Sequence, residues 1–450
     1  MESGAIFQKS PWKAIFSLCV PAMVSILVMM LYNMADMYFV GWLGDYAQVA
    51  SVSLAGPVFS VLMGISTMIG NGGCTKIAQA LGRKDLEQVR EDSALCVWAS
   101  LVSGVVFAAA CVIFCDPLLR FLGANEEMWD YTRSYVLIMA LGAPIVLLNH
   151  SLGSALRGEG EVNAGMIGGM VSTVSNILLD PVFILVLRLG VGGAAAATVL
   201  GNAIALCYYL VHKRRSRGRC VIEFHPRYAR DMRELGSILA LGLPNAISSV
   251  LGGFAGTFSN QMLMGYGTQA VAAMAAASKA VMVVTMVQMG VCMGVQPLLA
   301  YCCGGRDWGR LKEISKRVLG LTVGLGGVLT VGIWLGRGWV IGLFIQDASV
   351  AALGEHLASY MLLMGPLIGI YYFSTNFLQA SGNAGGASVA SALRQGLLLI
   401  PLLYLMNALL HLEGLALAHV IADGAAVVIT AAMAWRCYGK LRESQLKSGQ

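Results

Sequence analysis

Apolar stretches of about 20 residues or more recur along the whole of this 450-residue chain, and each is long enough to cross a bilayer as a helix. Twelve are read, at 14–40, 48–74, 93–115, 131–152, 163–187, 191–212, 236–264, 272–300, 315–342, 357–378, 385–409 and 414–436. Only 12% of the residues are charged, against about 25% in a soluble domain. In hydrocarbon a backbone must satisfy its own polar groups, so spans of this length are helices. The expected fold class is therefore all-α integral membrane.

The charges set the direction of threading. One set of loops collects Lys9, Lys13, Lys76, Arg83, Lys84, Arg90, Arg157, the run from Lys213 to Arg233, Arg306 to Arg317, and Arg436 to Lys447. The opposite set holds Arg120, Arg133, Arg188 and Arg337. Positive residues stay cytoplasmic, so both termini are expected inside a plasma (in bacteria, inner) membrane. The net charge of +6 is this threading signature, and no basic soluble domain is present to bind nucleic acid. The eleven cysteines show no zinc spacing. No nucleotide-binding loop, zinc-protease helix or Ser/His nucleophile pattern points to an enzyme or to ATP-driven transport.

The polar segment 211–235 divides the chain nearly in two, and the halves repeat at one offset. Val20-Pro21 aligns with Leu243-Pro244, Gly44 with Gly267, and Gly82-Arg83 with Gly305-Arg306. The repeat implies two six-helix bundles with a pseudo-two-fold axis along the membrane normal. The expected organisation is an N-lobe at 1–212, a basic cytoplasmic linker at 213–235, a C-lobe at 236–437 and a tail at 438–450. Such paired bundles enclose a cavity and rock to alternate access.

Departures from the repeat point to chemistry. Asp36 and Asp180 lie deep in apolar stretches, where a charge costs about 2.5–3.5 kcal/mol or more. Asp36 aligns with Ser259, Asn176 and Asp180 with Leu399 and Leu403, and Thr198 with His419. Asn33 and Asp36 share one helix face, as do Asn176 and Asp180. These oxygens suit Na⁺ or H⁺ and place an ion-responsive site in the N-terminal half. Pro21, on the same helix as Asp36, either permits a bend there or marks where the helix begins. In the second half Lys279, Arg394 and Asp423 are charges within apolar stretches, so at least one ion pair is expected. Gln288, Tyr301 and these cations read either as interhelical bonds and packing or as the wall of a substrate cavity.

Taken together, Pro21…Asn33-Met-Ala-Asp36…Phe39-Val-Gly-Trp-Leu-Gly44, Gly82-Arg-Lys-Asp85, Leu156-Arg-Gly-Glu-Gly160, Asn176…Asp180-Pro181, Gly193…Thr198 and Gly294-Val-Gln-Pro-Leu-Leu-Ala-Tyr301 resemble the multidrug and toxic compound extrusion (MATE) family. The likeness covers essentially the whole chain and is closest to the DinF-like branch. It implies a V-shaped pair of six-helix lobes, acting as a monomer among membrane lipids without a cofactor. It also implies export of small organic, mostly cationic and lipophilic, compounds in exchange for Na⁺ or H⁺. On that pattern Asp36, Asn176, Asp180 and Thr198 match the cation-coupling site (the metal site, if the ion is Na⁺), and Pro21 the bend. Asn33 and Asn149 are loose matches. The alternative on the same architecture is a flippase or exporter of lipid-linked, anionic or zwitterionic substrates, which Lys279 and Arg394 leave open.

Overall fold

The computed structural model describes residues 5–41, 46–216, 221–229, 231–345 and 347–448; side chains at 5, 30–41, 46, 47, 49, 50, 53, 185 and 444–448 fall outside that description. The described chain is helical throughout. In order it forms α1 (Pro11–Gly41), α2 (Tyr46–Gly82), α3 (Leu86–Ile113), α4 (Glu126–Glu159), α5 (Val162–Pro181) and α6 (Gly190–Arg215). There follow α7 (Met232–Met264), α8 (Thr268–Gly304), α9 (Trp308–Leu335), α10 (Ala348–Met361), α11 (Ile368–Ala380), α12 (Ala384–Ala392) and α13 (Leu399–Ser448).

Among the described residues ten helices are long and apolar enough to span a membrane, or eleven when the bent pair α10–α11 is taken as one span. The twelve stretches of the sequence map onto these because α13 is two helices in one. At His411 the backbone turns to φ 52°, leaving the helical region and dividing α13. The α10–α11 pair bends by 45°. Pro366 follows Gly365 there, and proline cannot supply an amide to the helix ladder. The carbonyl that a residue-366 amide would serve, Leu362 O, accepts from Gly365 N at 2.9 Å, and the Gly365 carbonyl accepts from Gln288 Nε2 at 2.6 Å.

Local chemistry closes the loops in the same way in both halves. Asp85 caps α3 by accepting from Gln88 N at 3.1 Å, and Asp307 caps α9 by accepting from Arg310 N at 3.0 Å. Each loop also holds a basic residue at positive φ, Lys84 at 61° and Arg306 at 54°. An aspartate oxygen satisfies amides that a first helical turn leaves open.

By contacts the chain falls into two compact units. One is residues 1–9 with 24–249, the other residues 10–23 with 250–450. The boundaries therefore cut through α1 and α7 rather than falling in the linker. Within the first unit, the early part of α7 packs on α2 with no room for side chains. A Cβ at Gly242 would lie 1.7 Å from the Met68 carbonyl oxygen, and one at Gly72 would lie 2.0 Å from that of Ile238. Within the second unit, the early part of α1 packs on α8. A Cβ at Gly294 would lie 2.7 Å from Leu18 O, and Cys19 Sγ donates to Val291 O at 3.5 Å. Small residues let membrane helices approach this closely.

The end of the linker is tied to the first unit. Glu223 N donates to Ser93 Oγ at 2.9 Å, Trp98 Nε1 donates to Phe224 O at 3.1 Å, and Val221 N donates to the buried Glu159 carboxylate. Lys213 reaches Glu223 at 3.5 Å and covers the Phe224 ring. Lys76 pairs with Glu234 at 2.5 Å. The Phe224 amide, then the Lys213 charge, hold the Glu223 carboxyl below its ordinary value of 4.5.

Two outcomes follow from these contacts. Gly242→Val meets backbone at Met68, so it is expected to cost about 1–3 kcal/mol or more by overpacking. Gly253→Val, where nothing lies within 4 Å, is expected to be neutral in the same thermal-unfolding comparison in detergent. A carboxyl with a depressed folded pKa stabilises above its ordinary range and loses that contribution as pH falls. Protection of the 221–229 amides, taken relative to their intrinsic exchange rate at each pH, should therefore be full at neutral pH and fall below 4.5, and Glu223→Gln should remove that pH step.

Candidate functional site

The site is built where α5 and α6 approach within the first unit. Gly201 sets the distance, since a Cβ there would sit 2.7 Å from Ser172 O and 3.3 Å from Asn176 Cβ. Gly193 does the same at the other end, with Phe183 O at 2.9 Å. Asn176 and Asp180 occupy one face of α5, are 3% and 0% exposed, and meet Thr198 on α6. Immediately after Asp180-Pro181 the chain widens into a π turn at Val182–Val186. Proline explains the interruption, and such turns recur beside functional sites.

The Asn176 amide lies between a carboxylate and a backbone N–H, which decides its orientation. With its NH₂ toward the carboxylate it donates to Asp180 Oδ2 at 3.0 Å. Its oxygen then accepts from Thr198 N at 3.0 Å and from Thr198 Oγ1 at 3.1 Å. The opposite orientation would set acceptor against acceptor. Thr198 Oγ1 also lies 3.1 Å from Ala194 O, so its one proton has two acceptors to choose between.

The chain of polar groups continues. Asn202 Nδ2 donates to Thr198 O at 2.8 Å, and Asn149 Nδ2, on α4, donates to Asn202 Oδ1 at 2.8 Å. Five side chains from three helices thus run from Asp180 to Asn149. The structure brings together four residues singled out in the sequence, Asn149, Asn176, Asp180 and Thr198. It adds Asn202, which sequence reasoning missed. Its signal was present, because it lies four residues after Thr198 and so shares that helix face.

The remaining candidates divide as follows. Asn33 and Asp36 belong to α1, but their side chains lie outside the described residues. Pro21 lies inside α1, which continues helically past it, two residues before the boundary between the units. In the second unit Gln288 is fully buried and spent on Gly365 O. Tyr301 lies half-buried near the end of α8. Arg394 stands in a second π turn, Leu393–Leu397. Its Nε donates to Asp423 Oδ1 at 2.7 Å and its Nη1 to the Tyr372 hydroxyl at 3.3 Å, with the Tyr371 ring 4.9 Å away. This is the ion pair expected of the buried charges. Lys279 forms no ion pair among the described residues.

A family model, MatE, matches residues 21–182 and again residues 244–405. The chain belongs to the MatE family. The two matched segments begin at Pro21 and at Pro244, the prolines that open the repeat. Membership makes this a multi-pass membrane transporter, not an enzyme. Among curated relatives it is 32% identical to the multidrug export protein MepA of Staphylococcus saprophyticus over 419 residues, covering 93% of this chain and 92% of that protein. It is 31% identical to MepA of Staphylococcus aureus over 425 residues, with the same coverage. Among solved structures, a MATE in complex with MaD3S superposes with a TM-score of 0.92 at 24% identity, over 98% of this chain and 99% of that one. A MOP superfamily transporter from Pyrococcus furiosus gives 0.90 at 23% identity, over 98% and 99%. These structures share the fold of this MATE protein, two lobes included.

The ion pair in the second unit carries a prediction. Removing one member leaves a buried charge alone, so Arg394→Met and Asp423→Leu are each expected to destabilise by about 3–5 kcal/mol. The double variant should recover most of that loss in the same unfolding measurement. Asn202→Ala strands Asn149 and is expected to cost about 1–3 kcal/mol. Thermal unfolding of the purified protein checks it.

Proposed function

We propose that this MATE protein exports small organic compounds across the cell membrane by alternating access, in exchange for Na⁺ or H⁺. The observation that carries the reading is the buried Asp180 carboxylate at the head of the Asn176–Thr198–Asn202–Asn149 chain. A carboxylate withdrawn from water is costly as a bare charge, and a proton or small cation removes the cost. Binding and release there change the charge at the centre of the first unit, which gives a gradient a place to act. The names of the MepA relatives support multidrug export, and the family resemblance implies lipophilic, mostly cationic substrates.

Asp36 is proposed to share the ion with Asp180, Asn176 and Thr198, and Pro21 to absorb the bend of α1. Among the described residues no three His, Cys, Asp or Glu side chains form a metal cluster. The proposed donor set is instead the two carboxylates with amide and hydroxyl oxygens, hard ligands that suit Na⁺ as well as a proton. Asn176 is the adjustable member. Turning its amide over replaces an N–H donor facing Asp180 with an oxygen, which a cation needs and a bare carboxylate does not. The protein is taken to act as a monomer, with both termini in the cytoplasm.

Efflux of a fluorescent cationic dye from proteoliposomes under separately imposed proton and sodium gradients tests the reading. One gradient is expected to drive efflux, and Asp180→Asn and Asp36→Asn are each expected to reduce it by about a hundredfold or more. Gradient-driven efflux that survives both substitutions would show the acids to be structural.

A further inference from the structure

The second unit contains an open recess of about 170 Å³ between α7, α8 and α13. Its floor holds Ser259, 8% exposed, and the largely enclosed His419. Asn260 and Ser278 stand at its exposed rim. Leu263 and Met274 supply apolar wall. None of the four polar side chains has a hydrogen-bond partner among the described residues. All four line the recess.

The repeat explains why the recess is here. Ser259 is the counterpart of Asp36, and His419 that of Thr198. The counterparts of Asn176 and Asp180 are Leu399 and Leu403, which are 5% and 0% exposed in the adjoining core. The second copy of the ion-site framework has thus lost its carboxylates and kept a hollow. In their place it presents hydroxyls, an amide and an imidazole, all able to donate hydrogen bonds.

Size and lining restrict the occupant. A cavity of about 150 Å³ with apolar walls accepts one benzene ring. Thioether sulfur packs well against aromatic edges, and Met274 is placed to provide it. Among the described residues no carboxylate lines the recess, and the nearby Asp423, whose charge reaches His419, is already paired with Arg394, so an ammonium head placed there would be desolvated without a free counter-charge. An oxygen acceptor on the ring meets donors.

We propose that the recess is a ligand subsite for an aromatic ring bearing a carbonyl or carboxylate oxygen. The ring lies against Met274 and Leu263, and the oxygen accepts from Ser259 and His419. The second unit then receives the electron-rich, ring-bearing part of an organic molecule. The subsite does not depend on the coupling reading, because its occupancy is measurable without a gradient.

The test uses full-length protein in nanodiscs, with saturation-transfer NMR reading the binding of benzamide, benzoate and benzylammonium. Benzamide or benzoate is expected to bind at least about tenfold more tightly than benzylammonium. Ser259→Leu, which fills the floor, should abolish that binding, and Ser259→Ala should weaken it several-fold without adding bulk. Ser278→Leu, at the exposed rim, gives a second block that leaves the core untouched. Equal or tighter binding of benzylammonium overturns the proposal. So does ring binding that persists in the folded Ser259→Leu and Ser278→Leu variants.

Discussion

Everything in this protein follows from the requirement that polar groups in hydrocarbon find partners within the chain. The helices meet it for the backbone, and side chains meet it at two of the interruptions. The break at Gly365-Pro366 is answered by Gln288, and Arg394, in the second π turn, by Asp423 and Tyr372. Against that background an enclosed carboxylate such as Asp180 is the exception that needs a reason. Its reason is a string of amides and a hydroxyl that reaches across three helices. Such a string is satisfied only as a whole, so a change of charge at one end alters which protons are shared along it.

Much of this was legible in the sequence. Stretch lengths gave the helices, and the four-residue spacing of Asn176 and Asp180 put both on one face. The illegible parts share a physical cause, which is distance along the chain. Asn202 and Asn149 are 53 residues apart, and neither sequence neighbourhood reports the other. The ion pair was anticipated among Lys279, Arg394 and Asp423, but its membership depended on which helix faces meet. The bend between α10 and α11 reads as one continuous apolar stretch, because hydrophobicity does not register a missing amide. The sequence also suggested a division at the linker, whereas packing divides the chain inside α1 and α7.

The two halves began as one plan and were put to different uses. Glycines at the tight crossings, prolines early in α1 and α7 and capped loops persist in both. The interior has diverged: acids and amides line the first unit, while leucines and a neutral hollow occupy the same register of the second. Scaffold positions are constrained by backbone contact, where a single Cβ is excluded. Interior polar positions are constrained only by what they hold.

The division of α1 has a consequence for how the chain is made. Residues 10–23 pack with residues that follow 250, as the contact of Cys19 with Val291 shows. That segment therefore finds its place only after the chain beyond 250 has been synthesised. The first unit likewise stays incomplete until residues 232–249 arrive from beyond the linker. Severing the gene at the linker would yield two pieces, each holding a segment that the other lacks. Each unit is thus completed only by contacts between segments far apart in the chain, which delays its closure.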